Sequence, residues 1–100
     1  MPEPRSSQQT VRREIIDLLM DSEHSAREIS ARLGIREKEV YEHLEHIRRS
    51  VKAQKRKLVV VPARCLSCDY VFEERRRLSK PGRCPNCRAT HLADPGYFIK

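Results

Sequence analysis

Four cysteines in the second half of the chain constrain its fold more than any other feature. Cys65 and Cys68 form one Cys-x-x-Cys pair and Cys84 and Cys87 form a second, with fifteen residues between the pairs. This spacing is typical of tetrathiolate zinc sites, in which Zn²⁺ takes four ligands at the corners of a tetrahedron. Fifteen residues are enough for a hairpin that returns the second pair to the first. The spacing therefore predicts a zinc ribbon built around one structural Zn²⁺ ion.

Two other uses of the four thiols stay open from the sequence alone. Iron suits the same soft ligands in the same geometry, and two disulfides would also use all four cysteines. The first residues, 1–7, lack the apolar core of a secretory signal that would lead to an oxidising compartment. No stretch approaches the roughly 18 apolar residues of a membrane span. We therefore expect a cytoplasmic protein with reduced thiols and no membrane partner.

Charge is distributed unevenly along the 100 residues, which carry a formal net charge of +7. Residues 1–50 hold nine Lys or Arg and ten Asp or Glu, a net charge of −1, whereas residues 51–100 hold twelve and four, a net charge of +8. Four thiolates and one Zn²⁺ ion would lower the second value to about +6, which still favours a polyanionic partner.

The first half has the pattern of three helices. Apolar residues at helical spacing predict the first over residues 8–20. Ser25 and Glu28 have the spacing of a capping box at the start of the second, and Gly34 is the residue type that ends a helix. The third begins near Arg36 and extends to about residue 54. Its apolar positions share one face, which predicts a buried stripe of Val40, Leu44, Ile47 and Val51.

Residues 26–35, followed by Val40, Leu44 and Ile47, resemble the helix-turn-helix core of bacterial and archaeal winged-helix regulators. The resemblance covers roughly residues 10–52 and implies that the third helix is presented to the major groove of DNA. A winged helix usually continues into a β-hairpin, called the wing. Here the β-branched run 58–61 leaves room for only one strand before Cys65, so we expect a truncated wing with the ribbon in its place.

Two further strands are expected in the second half, at residues 70–77 and 97–99. Segments 63–72, 81–87 and 97–100 look like the ribbon of small predicted transcriptional regulators that fuse a helix-turn-helix to a zinc ribbon. The expected fold class is α+β, with a three-helix, winged-helix-like helix-turn-helix, its wing truncated, followed by a small antiparallel β zinc ribbon. The expected divisions are a disordered N-terminus at 1–7, the helix-turn-helix at 8–57 and the ribbon at 58–100.

The resemblance implies a transcriptional regulator that binds double-stranded DNA. Outward residues of the third helix are candidates for contacts with base edges, because their side chains can pair with groups in the major groove. Basic residues of the second half are candidates for phosphate contacts. The base-contact set is Arg36, Lys38, Glu39, Glu42, His43 and His46, and the phosphate set is Lys52, Lys55, Arg56, Lys57, Arg75, Arg76 and Arg77.

Other functions fit the same pattern. Helix-turn-helix domains joined to zinc ribbons also occur in basal transcription factors that dock on RNA polymerase, such as archaeal transcription factor E, and the acidic third helix suits a protein partner. RNA binding by the ribbon is a third alternative, and homodimerisation is left open. We do not expect an enzyme, because four thiolates leave no open position on the metal and there is no glycine-rich phosphate loop.

Overall fold

The computed structural model describes residues 8–73 and 77–100. The disorder expected at 1–7, and the candidate residues Arg75 and Arg76, lie outside the described residues. Three helices are followed by small antiparallel sheets, which confirms the α+β class. The elements are α1 (Gln8–Asp21), β1 (His24–Ser25), α2 (Ala26–Leu33), α3 (Glu37–Ala53), β2 (Leu58–Val61), β3 (Arg64–Cys65), β4 (Leu92–Ala93) and β5 (Gly96–Ile99).

Local residues define both ends of α2, and those at its C-terminal end set the turn into α3. The capping box is present: Ser25 Oγ accepts from the Glu28 amide at 3.1 Å, and Glu28 Oε1 accepts from the Ser25 amide at 3.0 Å. Gly34 has a left-handed φ of 66°, and its amide donates to Ser30 O at 2.9 Å. A residue without Cβ takes this conformation at little cost, so the chain turns sharply and α3 begins at Glu37.

The core lies between the three helices and the sheet that follows them. The stripe expected on α3 is buried, because α3 packs against α1 and α2 along that face. Full burial of each large apolar side chain stabilises the fold by about 1.5–3 kcal/mol. The buried residues of this core are Val11, Ile15, Leu19, Ala26, Ile29, Leu33, Val40, Leu44, Ile47, Val51, Leu58, Leu78, Tyr97 and Ile99.

The larger sheet joins the last strand of the chain to two strands that lie next to the helices in sequence. Its strand order is β1-β5-β2, with β5 antiparallel to both neighbours, and Leu58 lies opposite Ile99. Residues 97–99, expected as the closing strand of the ribbon, therefore pair with β2 beside the helices. The expected truncated wing corresponds to β2, whose partner comes from the far end of the chain. Residues 62–95, with the cysteines, form the connection between these strands.

The smaller sheet consists of β3 and β4, with Cys65 opposite Leu92. The strand expected at 70–77 is not formed by the described residues of that segment, in which Val71 makes only an isolated bridge with Arg64. Two backbone bonds form this bridge: the Cys65 amide donates to Tyr70 O at 2.8 Å, and the Phe72 amide donates to Ala63 O at 3.0 Å. Asp69, with a left-handed φ of 64°, turns the chain immediately before the bridge.

Polar contacts fasten the ribbon to the helices. The Tyr97 hydroxyl donates to the backbone oxygen of Leu78, and the Lys80 amide donates to the Tyr41 hydroxyl at 3.4 Å. The Asp94 carboxylate lies 2.7 Å from Lys80 Nζ and 3.6 Å from Arg27 Nε. The connection between β2 and β5, residues 62–95, is thus held against α2 and α3.

Candidate metal centre and nucleic-acid interface

The four cysteine sulfurs converge on one point. All four Sγ atoms lie within 4.8 Å of one another, with 3.5 Å between Cys65 and Cys87 and 3.6 Å between Cys68 and Cys84. A tetrahedron with Zn–S bonds of about 2.3 Å places its sulfurs about 3.8 Å apart. A disulfide would require about 2.05 Å, and the cysteines are free thiols. The donor set and its spacing fit one structural Zn²⁺ ion, as predicted.

The first cysteine turn presents Cys65 through a short network of backbone bonds. The Ser67 amide donates to Cys65 Sγ at 3.4 Å, and the Asp69 amide donates to Cys65 O at 2.9 Å. The left-handed Asp69 then returns the chain, so that Tyr70 O accepts from the Cys65 amide. Amide donation to sulfur favours the thiolate, which is the form that binds metal.

The second turn repeats the first. The Asn86 amide donates to Cys84 Sγ at 3.4 Å, the Arg88 amide to Cys84 O at 2.8 Å, and the Cys84 amide to Ala89 O at 2.9 Å. Arg88 has a φ of 65°, the counterpart of the left-handed residue in the first turn. The side chain of Asn86 also donates across the site to Cys68 Sγ at 3.4 Å. Sequence reasoning missed Asn86; its place between the two cysteines of the second pair was the available signal.

The thiols differ in acidity. Donation from the Asn86 side chain, followed by the Tyr70 amide, lowers the pKa of Cys68 to about 6. The Ala89 amide lowers the pKa of Cys87, but contacts with the Cys68 and Cys65 sulfurs together raise it to about 12. Four sulfurs this close resist full ionisation unless a cation neutralises them, so metal binding must release protons from the site.

Burial protects part of the centre. Cys65 and Cys84 are fully buried and pack with Leu92, whereas Cys87 is exposed. Phe72 contacts this small cluster and meets Tyr70 edge-on, with 5.0 Å between ring centroids. The cluster is too small to hold a fold on its own, so the metal is its principal cross-link.

The base-contact candidates on α3 do not share one environment. Arg36, Lys38, Glu42 and His46 are exposed, and Glu39 is half-buried and lies 3.4 Å from Arg36 Nε. His43, expected to face outward, is instead buried at 8% exposure.

His43 is turned inward because it lies beside α1. Its Nδ1 accepts from Arg12 Nε at 3.2 Å. Burial, and then the positive charge of Arg12, lower the pKa of His43, so the ring is neutral at pH 7. This residue therefore contributes to the contact between α1 and α3, and its ring is not presented to a ligand.

The phosphate-contact candidates fall into two separate places. Lys52, Lys55, Arg56 and Lys57 are all exposed, and with Arg48 and Leu58 they line a recess of about 440 Å³ at the end of α3. Arg77 is exposed elsewhere, in a cleft of about 230 Å³ that includes Tyr41 and the acidic residues Glu42 and Glu45 of α3. Among the described residues, the structure thus brings together four of the five basic candidates.

Comparison with known proteins identifies similar chains. The family model described as PF0610-like, N-terminal, matches residues 10–59, half of the chain. The solution NMR structure of protein PF0610 from Pyrococcus furiosus is similar, with a TM-score of 0.83 and 27% sequence identity, over 100% of this chain and 97% of that one. No curated protein matches the sequence. Within the described part of the chain, no helix has both the length and the apolar character needed to cross a bilayer.

Proposed function

This chain belongs to the PF0610-like family, and we propose that it is a non-enzymatic, cytoplasmic regulator of transcription that binds double-stranded DNA. The observation that carries the proposal is the arrangement of α2 and α3. A three-residue turn at Gly34 joins them, and the face of α3 opposite the core carries charged, exposed side chains. Two helices joined in this way place the second on the protein surface, where it can enter a major groove.

The zinc ribbon would act as a basic accessory platform. The positive charge of the second half is shared between the ribbon and the end of α3. Residues 62–95 hold seven Lys or Arg and four Asp or Glu, a net charge of +3, about +1 with four thiolates and one Zn²⁺ ion, and Lys52, Lys55, Arg56 and Lys57 lie at the end of α3. Because the ribbon is inserted between β2 and β5, folding of the metal centre holds its basic residues in a fixed position beside the helices. Neutralisation of phosphates by such residues supplies most of the affinity of many DNA-binding proteins.

The test is a salt-dependent titration of zinc-loaded protein with duplex DNA of mixed sequence. Affinity should fall steeply between 50 and 200 mM salt, with a slope of about −0.9 for each phosphate contacted. Replacement Cys84→Ser should unfold the ribbon and weaken binding together, and Ser67→Ala, an exposed change in the first cysteine turn, serves as its control. Full DNA affinity in the Cys84→Ser protein would show that the platform plays no part.

A second candidate function is docking on RNA polymerase or another transcription factor. The observation that favours it is the acidic first half of α3, where Glu37, Glu39, Glu42 and Glu45 outnumber the cations. No binding to duplex DNA at low salt, together with direct binding to purified RNA polymerase, would favour this function. Single-stranded RNA in the same titration tests binding through the ribbon, and sedimentation of the protein tests homodimerisation.

A further inference from the structure

We propose that the recess at the end of α3 holds closely spaced phosphates of a duplex backbone, so that α3 meets DNA by its C-terminal end and the acidic N-terminal half points away. The recess is lined by Arg48, Lys52, Lys55, Arg56 and Lys57. This inference rests on the proposed function and specifies how the duplex is held.

The first argument is the polarity of charge along the helix. Residues 36–46 contain two Lys or Arg and four Glu, a net charge of −2 without the histidines. Residues 48–57 contain six Lys or Arg and no carboxylate, a net charge of +6. The helix dipole favours an anion at the N-terminus, but it is equivalent to only about half a charge. The side-chain charges are larger, so a phosphate is repelled by the first half of α3 and attracted to the second.

The second argument is the backbone geometry that gathers these cations. After α3 ends at Ala53, Lys55 adopts a left-handed φ of 62°, and the Arg56 amide donates to Val51 O at 2.8 Å. The chain therefore reverses at once and places residues 55–57 opposite the last turns of the helix. Lys occupies a position where Gly or Asn is the usual residue, so a cation is present at the tightest point of the reversal.

The far side of the recess is held by backbone bonds to Lys100. Lys57 and Lys100 exchange two backbone bonds, at 2.9 and 3.3 Å, next to the pairing of Leu58 with Ile99. The reversal is thereby anchored to the large sheet. Because the backbone is fixed, less ordering entropy is lost when the side chains close on a ligand than for lysines in a mobile tail.

The chemistry recognised is a set of neighbouring phosphates, which has two sources: a nucleic-acid backbone or a free polyphosphate. The carboxylates that pair with Arg36 and Arg48 lie on the N-terminal side of the recess, at Glu39 and Glu45. They close that side to anions and leave the approach from the end of the helix. A duplex backbone offers a continuous row of such phosphates to this end of the helix, which favours the backbone as the source.

The experiment compares variants that each remove one positive charge from an exposed side chain. Lys52→Gln and Arg56→Gln act in the recess, Arg36→Gln and Lys38→Gln act at the other end of α3, and Arg13→Gln on α1 is the matched control. Each protein is titrated with a duplex of about 20 base pairs and, separately, with inorganic tripolyphosphate. Thermal melts confirm that every variant is folded.

Each recess variant should lose about tenfold in duplex affinity at 50 mM salt and reduce the salt slope by about 0.9, as expected for one phosphate contact. The two variants at the N-terminal end should lose less than about twofold, and Arg13→Gln should match the unmodified protein. Tripolyphosphate should bind more weakly than the duplex.

The contrary outcomes are distinct. If the unmodified protein binds the duplex, but Arg36→Gln and Lys38→Gln lose more affinity than the recess variants, the inference is refuted and the proposed function stays intact. Tight tripolyphosphate binding that depends on the recess, with duplex binding unaffected by recess variants, would refute the nucleic-acid source. Absence of duplex binding by the unmodified protein at low salt would overturn the proposed function and this inference together.

Discussion

Tyr97→Ala should destabilise the helical part of the protein, although Tyr97 lies ten residues beyond the last cysteine. The side chain is fully buried within the core formed by α1, α2 and α3, and its hydroxyl donates to Leu78 O. β5, which carries it, is the central strand of the large sheet. Truncation of this ring therefore opens a cavity in the core and removes the partner of a buried carbonyl.

The magnitude follows from these two losses. Replacement of a buried aromatic ring with alanine costs about 3–5 kcal/mol, and the lost hydrogen bond adds about 1 kcal/mol. Since domains of this size are stable by only about 5–15 kcal/mol, the change removes a large share of the total. At about 4 °C or more for each kcal/mol, the melting temperature should fall by at least about 15 °C.

The assay is urea unfolding of zinc-loaded protein followed by far-ultraviolet circular dichroism, which reports the helices. Phe98→Ala is the matched control: Phe98 is an adjacent aromatic residue that points to the other face of the strand and is half-buried, so its loss should cost clearly less. If the helices of Tyr97→Ala unfold at the same urea concentration as those of the unmodified protein, the packing of β5 against the helices is refuted.

Three further perturbations have defined outcomes. Chelation of the metal should collapse the amide resonances of residues 63–95 while the helices persist, because structural zinc contributes on the order of 10 kcal/mol; an apo spectrum identical to the zinc-loaded one would contradict this. Gly34→Ala should cost about 1 kcal/mol in urea unfolding, because its φ is 66°, whereas Gly82→Ala, in open space, should be neutral. Burial, and then the charge of Arg12, lower the pKa of His43 below 6.5. The contribution of His43 to stability should therefore be complete above pH 6.5 and should decline as the pH falls through the lowered value. In urea midpoints measured from pH 7.5 to 5, His43→Gln should flatten this pH dependence, whereas His46→Gln should retain it.

Local features were predictable from the sequence because they depend on residues near one another. The capping box at Ser25, the left-handed Gly34 and the buried stripe of α3 each follow from spacings of a few residues. The metal site was equally predictable, because each pair of cysteines builds its own turn and the linker only has to bring the two turns together. The zinc site as predicted is therefore confirmed.

Features that depend on distant partners were not predictable in the same way. The pairing of β5 with β2 joins residues about 40 positions apart, and nothing in the run around Tyr97 distinguishes a ribbon strand from a strand of the helical unit. His43 is different, because a signal was present. It lies three residues after Val40 and beside Leu44, on the edge of the buried stripe, and its polar character led to an outward assignment.

Insertion of the ribbon between β2 and β5 makes metal occupancy a determinant of how easily the large sheet closes. The connection spans residues 62–95, and the entropy cost of joining the strands grows with the logarithm of its flexible length. A zinc cross-link between the two cysteine turns shortens the flexible path to about a third, which lowers that cost by about 1 kcal/mol. Metal loss should thus raise the fraction of molecules in which β5 is detached from the helices roughly fivefold, so the helical unit senses the state of a site that it does not contain.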